Sequence, residues 1–202
     1  MAIVAVPNKH QQKSEATRRK LLTSARRVFA QHGFEAARIE DIASEAGHTR
    51  GAFYANFDSK EALFLALLEQ QASEHVTRIT QRLQSCADDA EKLSALRDYY
   101  LGLASDRQWS MLMLEFKLFA VRHPRLRAKL ARAQREIRAA AKSQTQGLFA
   151  CLSKNWSEEA TGISLEGSLH GLVLQHAYDP DVLNEEQMRS ALGRIFDTLA
   201  VR

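Results

Sequence analysis

The sequence predicts an all-α fold in which three short helices precede one long helix and a larger helical domain. Only 9 glycines and 3 prolines are distributed over 202 residues, too few turn-forming residues for the many short strands of a β-sandwich or barrel. Apolar residues recur at intervals of three and four, the period of an amphipathic helix. Hydrophobic residues make up 45% and charged residues 26% of the chain, which excludes a disordered or low-complexity protein.

Glycines and capping residues delimit the N-terminal helices. Residues 1–14 are polar and aperiodic, and we expect a flexible tail there. A first helix is predicted over 15–33, where its last residue, a glycine, supplies a C-terminal cap. A second helix is predicted over 39–47, and a third over 49–55, where the hydroxyl of Thr49 can cap the N-terminus.

Capping pairs and prolines mark the remaining helices. Asp58 and Glu61 have the spacing of a capping box and predict a long fourth helix that ends near residue 83. Asn184 and Gln187 form a second such pair. The further helices are expected over 89–106, 109–122, 124–154, 158–178 and 185–201. We divide the chain into the tail, an N-terminal domain over 15–62 and a C-terminal domain over 63–202.

The excess positive charge lies in the N-terminal part of the chain. Residues 1–60 hold 10 basic and 6 acidic residues, and the rest of the chain holds 18 of each, out of totals of 28 and 24. Such an excess can attract a polyanion by counterion release, although a solvated basic face is an equal alternative. A second basic stretch, 125–142, forms an amphipathic helix, which suits a solvated outer face or, alternatively, a membrane surface.

The second and third helices have the spacing of a helix-turn-helix. Gly47 provides the tight turn between them, because glycine adopts left-handed backbone conformations without steric cost. Phe53 and Phe57 fall on the inward face of the third helix. The outward residues are small, basic or hydrogen-bonding, a combination suited to the major groove of DNA. They are Thr49, Arg50, Gly51, Ala52, Tyr54 and Asn56.

An ordered series of short motifs runs without a gap from Leu21 to Leu63. Its segments include Ile39-Glu40-Asp41-Ile42-Ala43, Ala46-Gly47, Thr49-Arg50-Gly51-Ala52-Phe53-Tyr54 and Lys60-Glu61-Ala62-Leu63. This series resembles the DNA-binding domain of the TetR (tetracycline-repressor-like) family of bacterial transcriptional regulators. A pattern of this length is far more specific than a lone helix-turn-helix match.

The resemblance implies that some residues position the domain on phosphate and that others select bases. The implied phosphate contacts are Thr49, Tyr54 and Lys60. The implied base contacts are Arg50, Ala52 and Asn56. Gly51 would permit close approach of the helix to DNA. Arg38 stands where many members have a hydroxyl residue that caps the second helix, so a positive charge takes the place of that cap.

The C-terminal half resembles the family in architecture: a helical domain that forms a dimer and encloses a small-molecule site. Mid-helix glycines cost stability, so close packing against another helix is a reasonable cause of them. The residues that we assign to the dimer interface are Gly167, Gly171, Leu174, Leu192, Ile195, Phe196 and Leu199. Packing within one chain is the alternative interpretation. Dimerisation suits a palindromic DNA site, because two recognition helices then lie one DNA turn apart.

Large apolar or amphipathic residues are the candidates for lining a ligand pocket. They are Tyr99, Tyr100, Leu103, Trp109, Met113, Phe116, Phe119, Phe149 and His170. Plain core packing is the alternative for each of them. A pocket of this kind suits a hydrophobic or aromatic effector. The resemblance therefore implies a homodimeric, ligand-responsive regulator, a repressor released from its operator by that effector; the alternative is a helical binding or membrane-surface protein that uses the 125–142 helix.

Enzyme motifs and metal-ligand patterns are absent from the sequence. We find no nucleophile elbow, phosphate-binding glycine loop, H-E-x-x-H or C-x-x-C motif, and the seven histidines lack ligand spacing. We therefore expect no catalytic residue, metal or cofactor. The sequence has no apolar run long enough to span a membrane and only two cysteines, which favours a protein of the reducing cytoplasm.

Overall fold

The computed structural model describes residues 9–144 and 157–200, and within these ranges every regular element is a helix. This confirms the all-α prediction. The helices are α1 (Lys9–Ala36), α2 (Ile39–Glu45), α3 (Arg50–Tyr54), α4 (Lys60–Gln84), α5 (Asp89–Leu103), α6 (Arg107–Arg122), α7 (Pro124–Gln144), α8 (Glu158–Tyr178) and α9 (Glu185–Ala200).

The first helix begins earlier than the sequence predicts. Residues 9–14, assigned to a flexible tail, belong to α1. They contain lysine and glutamine, which are good helix formers, and neither glycine nor proline, so nothing in them stops the helix. Gly33 interrupts α1 with φ 75° and ψ 170°. The positive φ suits glycine, but the ψ lies outside the αL region of the predicted C-terminal cap, and one further helical turn follows before Ala37.

Local capping contacts set several helix ends. Thr49 Oγ1 accepts a hydrogen bond from the Ala52 N–H at 3.3 Å, and Asn184 and Gln187 bond each other's backbone N–H at 2.9 and 3.0 Å. Both predicted caps are confirmed.

The predicted N-cap of the fourth helix and the predicted end of the fifth helix are also wrong. The N-cap of α4 is Ser59, whose Oγ accepts from the Ala62 N–H at 3.1 Å, and not Asp58 in a capping box with Glu61. The fifth helix ends at Leu103 because Asp106 caps α6, its Oδ1 accepting from the Trp109 N–H at 3.0 Å. Residues 145–154, predicted to extend the seventh helix, lie outside the described residues.

Two hydrophobic cores share the long helix α4. The first core joins α1, α2, α3 and the start of α4 to α6 and α7. The second core joins the end of α4 to α5, α8 and α9. The boundary that we placed between residues 62 and 63 therefore falls inside α4, and the N-terminal helices pack directly on two helices of the C-terminal domain.

The basic helix α7 uses its apolar face inside the protein. Leu130 is buried in the first core, and Leu126 and Ile137 pack against it. A helix bound to a membrane surface needs that face for lipid, so the membrane-surface alternative loses its structural basis. None of the helices in the described ranges is long and apolar enough to cross a membrane.

Candidate DNA-binding surface and ligand cavity

The turn between α2 and α3 has the geometry of a helix-turn-helix. Gly47 adopts φ 71°, a conformation that glycine reaches without strain, and the N–H of His48 donates to the carbonyl of Ala43 at 2.8 Å. Phe53 and Phe57 are buried in the first core. These inward contacts fix α3 against the domain and leave its opposite face to solvent.

The outer face of α3 presents most of the residues predicted to meet DNA. Thr49, Arg50, Gly51 and Tyr54 are exposed, and 45% of Tyr54 is accessible. Apart from α3's own backbone, the Thr49 hydroxyl is the one described group within 4 Å of a methyl group built on Gly51, so the described part of the chain leaves room for another molecule to approach the backbone there. The remaining two residues, Ala52 and Asn56, are half-buried.

Asn56 is hydrogen-bonded within the domain. The side-chain Nδ2 of Asn56 donates to the backbone carbonyl of Ala52 at 2.8 Å. The backbone carbonyl of Asn56 accepts from Arg18 Nη1 at 3.1 Å. The guanidinium of Arg18 lies 4.2 Å from the centre of the Phe57 ring. No local sequence pattern marks Arg18 as part of this surface, because its contact with the end of α3 spans 38 residues.

Arg50 is paired in the absence of DNA. Its Nη1 lies 2.9 Å from Glu40 Oε1 on α2, and its Nη2 donates to the Tyr54 hydroxyl at 3.4 Å. The hydrogen bond to Tyr54 raises the pKa of Arg50 further above its ordinary value, with the charge of Glu40 adding to the effect. To select a base, the guanidinium of Arg50 must break its ion pair with Glu40 and bond to a guanine instead.

Lys60 and Arg38, two further predicted contacts, differ in their surroundings. Lys60 Nζ donates to the carbonyls of Glu35 at 2.7 Å and Ala37 at 2.9 Å, which ties the start of α4 to the end of α1. Burial lowers the pKa of the Lys60 ammonium. Two of its three donors are thus used in the fold. Arg38, the N-cap of α2, is exposed, with its Nε 3.8 Å from Glu40 Oε2.

A cavity of about 450 Å³ lies between α4, α5, α6, α7 and α8, within the range of ligand pockets in proteins. Five of the predicted lining residues contribute to its wall: Tyr100, Leu103, Trp109, Met113 and His170. The Tyr100 hydroxyl is already bonded, since it donates to the carbonyl of Leu165 at 3.0 Å. The wall is mainly apolar, which suits an apolar ligand body.

The other four pocket candidates lie elsewhere. Phe116 is buried in the first core and Phe119 packs against it, so both belong to plain core packing. Tyr99 does not line the cavity, but its hydroxyl is hydrogen-bonded to Nδ1 of His75, and His75 is one of the lining residues. Phe149 lies outside the described residues.

Polar residues of α4 line the cavity and were missed. Gln71, His75 and Arg78 follow one another at intervals of four and three, so they share a helix face with Leu68. Polar residues on a face that is otherwise apolar are the signal that sequence reasoning could have used. Burial lowers the pKa of His75, so this imidazole favours its neutral form.

A charged cluster forms part of the cavity wall. Glu166 of α8 accepts hydrogen bonds from Lys117 Nζ and Arg138 Nη2, each at 2.6 Å, and His170 Nε2 lies 3.8 Å away. Burial alone would raise the pKa of Glu166, but the bond and charge of Lys117, with Arg138, hold it below its ordinary value. Burial lowers the pKa of His170. The cluster therefore contains an ionised carboxylate shared by two cations.

Helix α6 joins the cavity to α1. Trp109 and Met113 line the cavity from α6. At the start of the same helix, Asp106 Oδ2 accepts from Arg26 Nη2 at 2.6 Å, and further along it Glu115 Oε2 accepts from the Phe34 N–H at 2.7 Å. A displacement of α6 by a ligand would thus be transmitted to α1 through these two hydrogen bonds.

An apolar stripe on α8 faces solvent. Ile163, Leu174 and Tyr178 are exposed on it, and a methyl group built on Gly167 or Gly171 would meet no described atom of another helix within 4 Å. Packing against the other described helices therefore does not explain these glycines.

The predicted interface residues of α9 are less exposed than the stripe on α8. Leu192 and Phe196 are buried in the second core of the same chain, because α9 turns this face toward α5 and α8. Their assignment to a dimer interface is corrected accordingly. Ile195 and Leu199 are half-buried in the single chain.

A helix-turn-helix and a mainly apolar cavity occur together in one chain, an arrangement typical of transcriptional regulators that bind DNA with one domain and a ligand with the other. Residues 21–67 match the model of bacterial regulatory proteins of the tetR family, and residues 89–201 match the model of the C-terminal domain of BetI-type transcriptional repressors. The chain belongs to the TetR family of transcriptional regulators, and it is not an enzyme.

Individual proteins resemble the chain over most of its length in sequence or in fold. The HTH-type transcriptional activator FasR of Mycolicibacterium smegmatis is 28% identical over 187 residues, which cover 87% of this chain and 81% of FasR. FadR from Bacillus subtilis, in complex with stearoyl-CoA, has a TM-score of 0.65 at 18% identity, over 91% of this chain and 97% of FadR. A putative regulator from Saccharomonospora viridis in complex with choline has a TM-score of 0.70 at 20% identity, over 93% and 99%.

Proposed function

We propose that this chain is a homodimeric repressor that binds a palindromic operator in the bacterial cytoplasm and is released by a small hydrophobic or aromatic effector. The observation that carries the proposal is the position of α6, which lines the cavity and is bonded to α1 through Asp106 and Glu115. An effector that shifts α6 changes the placement of the DNA-binding helices. Release requires that the effector bind more tightly to the arrangement that does not fit DNA.

DNA recognition in this proposal divides between positioning and selection. Thr49 and Tyr54 contact phosphate from the exposed face of α3, and Gly51 allows that face to approach the groove. Arg50 selects a base after it leaves Glu40. Arg38 adds a phosphate contact at the start of α2. Ala52 and Asn56, being half-buried, contribute through the shape of the surface and the orientation of α3.

Dimerisation in this proposal uses the exposed stripe of α8. Gly167 and Gly171 leave room for a helix of a second chain, and Leu174 and Tyr178 supply apolar area beside them. Ile195 and Leu199 of α9, half-buried in the single chain, complete the apolar surface in this proposal. Two chains joined this way would present two α3 helices to one operator.

The effector site in this proposal is the cavity between α4 and α8. Its apolar wall and volume suit a small ligand. The structurally similar FadR and the Saccharomonospora regulator hold stearoyl-CoA and choline, and the fold that they share with this chain supports a ligand-binding role for the domain. The BetI-type repressor model, which matches residues 89–201, favours repression over activation.

Light scattering of the purified chain and a reporter gene test the proposal. We expect a dimer, and we expect Leu174→Lys to give a monomer, whereas Val121→Lys, an equally charged change at an exposed site on α6, leaves the dimer intact. A reporter driven by a promoter that contains the bound DNA should be expressed less when the protein is present. A monomeric wild-type chain, or higher expression with the protein, would contradict the proposal.

A further inference from the structure

A second cavity adjoins the first. It has a volume of about 370 Å³ and lies between α7 and α8. The two cavities share three lining residues, Arg138, Gly162 and Glu166. The bond between Arg138 and Glu166, at 2.6 Å, therefore lies on the boundary between an apolar chamber and the space outside it.

Basic side chains dominate the outer cavity. Arg135, Arg138 and Lys142 line it from α7, where their spacing of three and four places them on one helix face. We call these three residues the basic opening. Glu159 and Glu166 are its two carboxylates. Both oxygens of Glu166 already accept bonds from Lys117 and Arg138, so this carboxylate is neutralised by its own neighbours.

We propose that the effector is an anionic amphiphile whose apolar body fills the first cavity and whose carboxylate or phosphate is bound by Arg135 and Arg138 at the basic opening. This inference rests on the proposed effector function of the cavity and adds the chemical class of the ligand. The guanidinium groups suit both anions, because they donate paired hydrogen bonds to carboxylate and phosphate alike.

Charge pairing around the first cavity disfavours a cationic ligand. Its two carboxylates are each bonded to a cation of a neighbouring helix: Asp106 to Arg26 and Glu166 to Lys117. A ligand cation would have to displace one of these partners and would face Arg78 and Arg138 on the same wall. A ligand anion needs only to replace Glu166 as the partner of Arg138. Glu166 keeps its bond to Lys117, so its carboxylate does not become unpaired.

Calorimetric titration of the full chain, without DNA, tests the inference. The probes are decanoate, decanoyl-CoA, 1-decanol, coenzyme A without an acyl chain, and choline. We expect decanoate, decanoyl-CoA or both to bind at least about tenfold more tightly than 1-decanol, because a charged hydrogen bond contributes about that factor. Binding of decanoate assigns the basic opening to a carboxylate, and binding of decanoyl-CoA alone assigns it to a phosphate.

Two variants and a control locate the anion. Arg135→Gln together with Arg138→Gln should weaken binding of the anionic probe about tenfold and leave 1-decanol unaffected. Arg135→Gln alone, which leaves the bond of Arg138 with Glu166 in place, should show part of the same loss. Arg127→Gln removes the same charge from an exposed part of α7 that lines neither cavity, and it should change nothing.

Four results would overturn the inference: 1-decanol binding as tightly as the anions, coenzyme A binding as tightly as its thioester, choline binding alone, or no probe binding. Equal loss in the Arg127 control would also overturn it. The effector function is measured separately, as the change in affinity for bound DNA on adding the probe. A probe that binds through Arg135 but leaves DNA affinity unchanged supports the site and contradicts only the proposed function.

Discussion

The carboxylate of Glu115 on α6 accepts a hydrogen bond from the backbone N–H of Phe34 in α1, with 2.7 Å between Oε2 and N. The contact lies where Gly33 adopts φ 75° and turns the chain out of its helix. A methyl group built on Gly33 would lie 2.6 Å from Oε2 of Glu115, so glycine also leaves the room that the carboxylate occupies. The glycine that interrupts α1 thereby makes room for one of the two bonds, with that between Arg26 and Asp106, that join α1 to α6.

Glu115→Ala should destabilise the protein. It leaves the Phe34 N–H without its acceptor, and we expect the free energy of unfolding to fall by about 1 kcal/mol. Glu115→Gln keeps a carbonyl oxygen and should recover most of that loss. Chemical denaturation measures the effect, with Glu69→Ala at an exposed position on α4 as control. Equal stability of Glu115→Ala and wild type would show that the contact contributes nothing.

Asp106 variants separate helix capping from contact with α1. Asn at this position still caps α6 but loses the ion pair with Arg26, whereas Ala loses both. We expect Asp106→Ala to lower the free energy of unfolding by about 1 kcal/mol and Asp106→Asn by less. Both should reduce the effect of a cavity ligand on DNA affinity. The coupling through α6 would be refuted by an unchanged ligand effect in Asp106→Asn.

Lys60 should matter for stability as well as for DNA. Lys60→Met removes the donors to the carbonyls of Glu35 and Ala37, and we expect a loss of about 1 kcal/mol in the free energy of unfolding. Lys20→Met, an exposed lysine of α1, is the control for the lost charge. Thermal unfolding compares the stability of the two variants. If Lys60→Met is as stable as Lys20→Met, the role of Lys60 is limited to phosphate contact.

His75 should make the protein less stable in mild acid. Its pKa in the folded chain lies below the ordinary value of 6.5, mainly through burial and also through Arg78, against Glu74 and Asp106. Below pH 6.5 the unfolded chain therefore binds more protons, and the free energy of unfolding falls as the pH drops toward the folded pKa.

Melting temperatures between about pH 7.5 and about pH 5.5 measure this loss. His75→Gln, which cannot be protonated, should show a smaller decrease than wild type. His32→Gln, at an exposed position of α1, should follow wild type. If the three proteins lose stability in parallel, His75 is not responsible.

Local contacts made parts of the fold predictable. The caps at Thr49 and Asn184 depend on residues three positions away, so the sequence alone reveals them. The start of α1 was not predictable in the same way, because residues 9–14 contain neither a cap nor a helix breaker. The helix-turn-helix was predictable because its glycine turn and its buried phenylalanines lie within one short segment.

Long-range contacts decided what the sequence could not. Phe116 and Met113 are both apolar residues of α6, and the sequence does not distinguish them. The packing of the other helices buries both in the first core, but only Met113 of the two also lines the cavity. The bonds of Glu166 cross 49 residues to Lys117 and 28 residues to Arg138. No periodicity within one helix indicates such a pairing, so the charged part of the cavity wall could be recognised only in the fold.

Selection of sheared genomic DNA on the purified protein tests sequence-selective binding through α3 most directly. We expect one palindromic sequence to be enriched by the wild-type chain. Tyr54→Phe should weaken binding to every enriched sequence, since it loses a phosphate contact, and Arg50→Ala should change the preferred base at one position of each half-site. No enrichment, or an identical preferred sequence with Arg50→Ala, would contradict the role that we assign to this face.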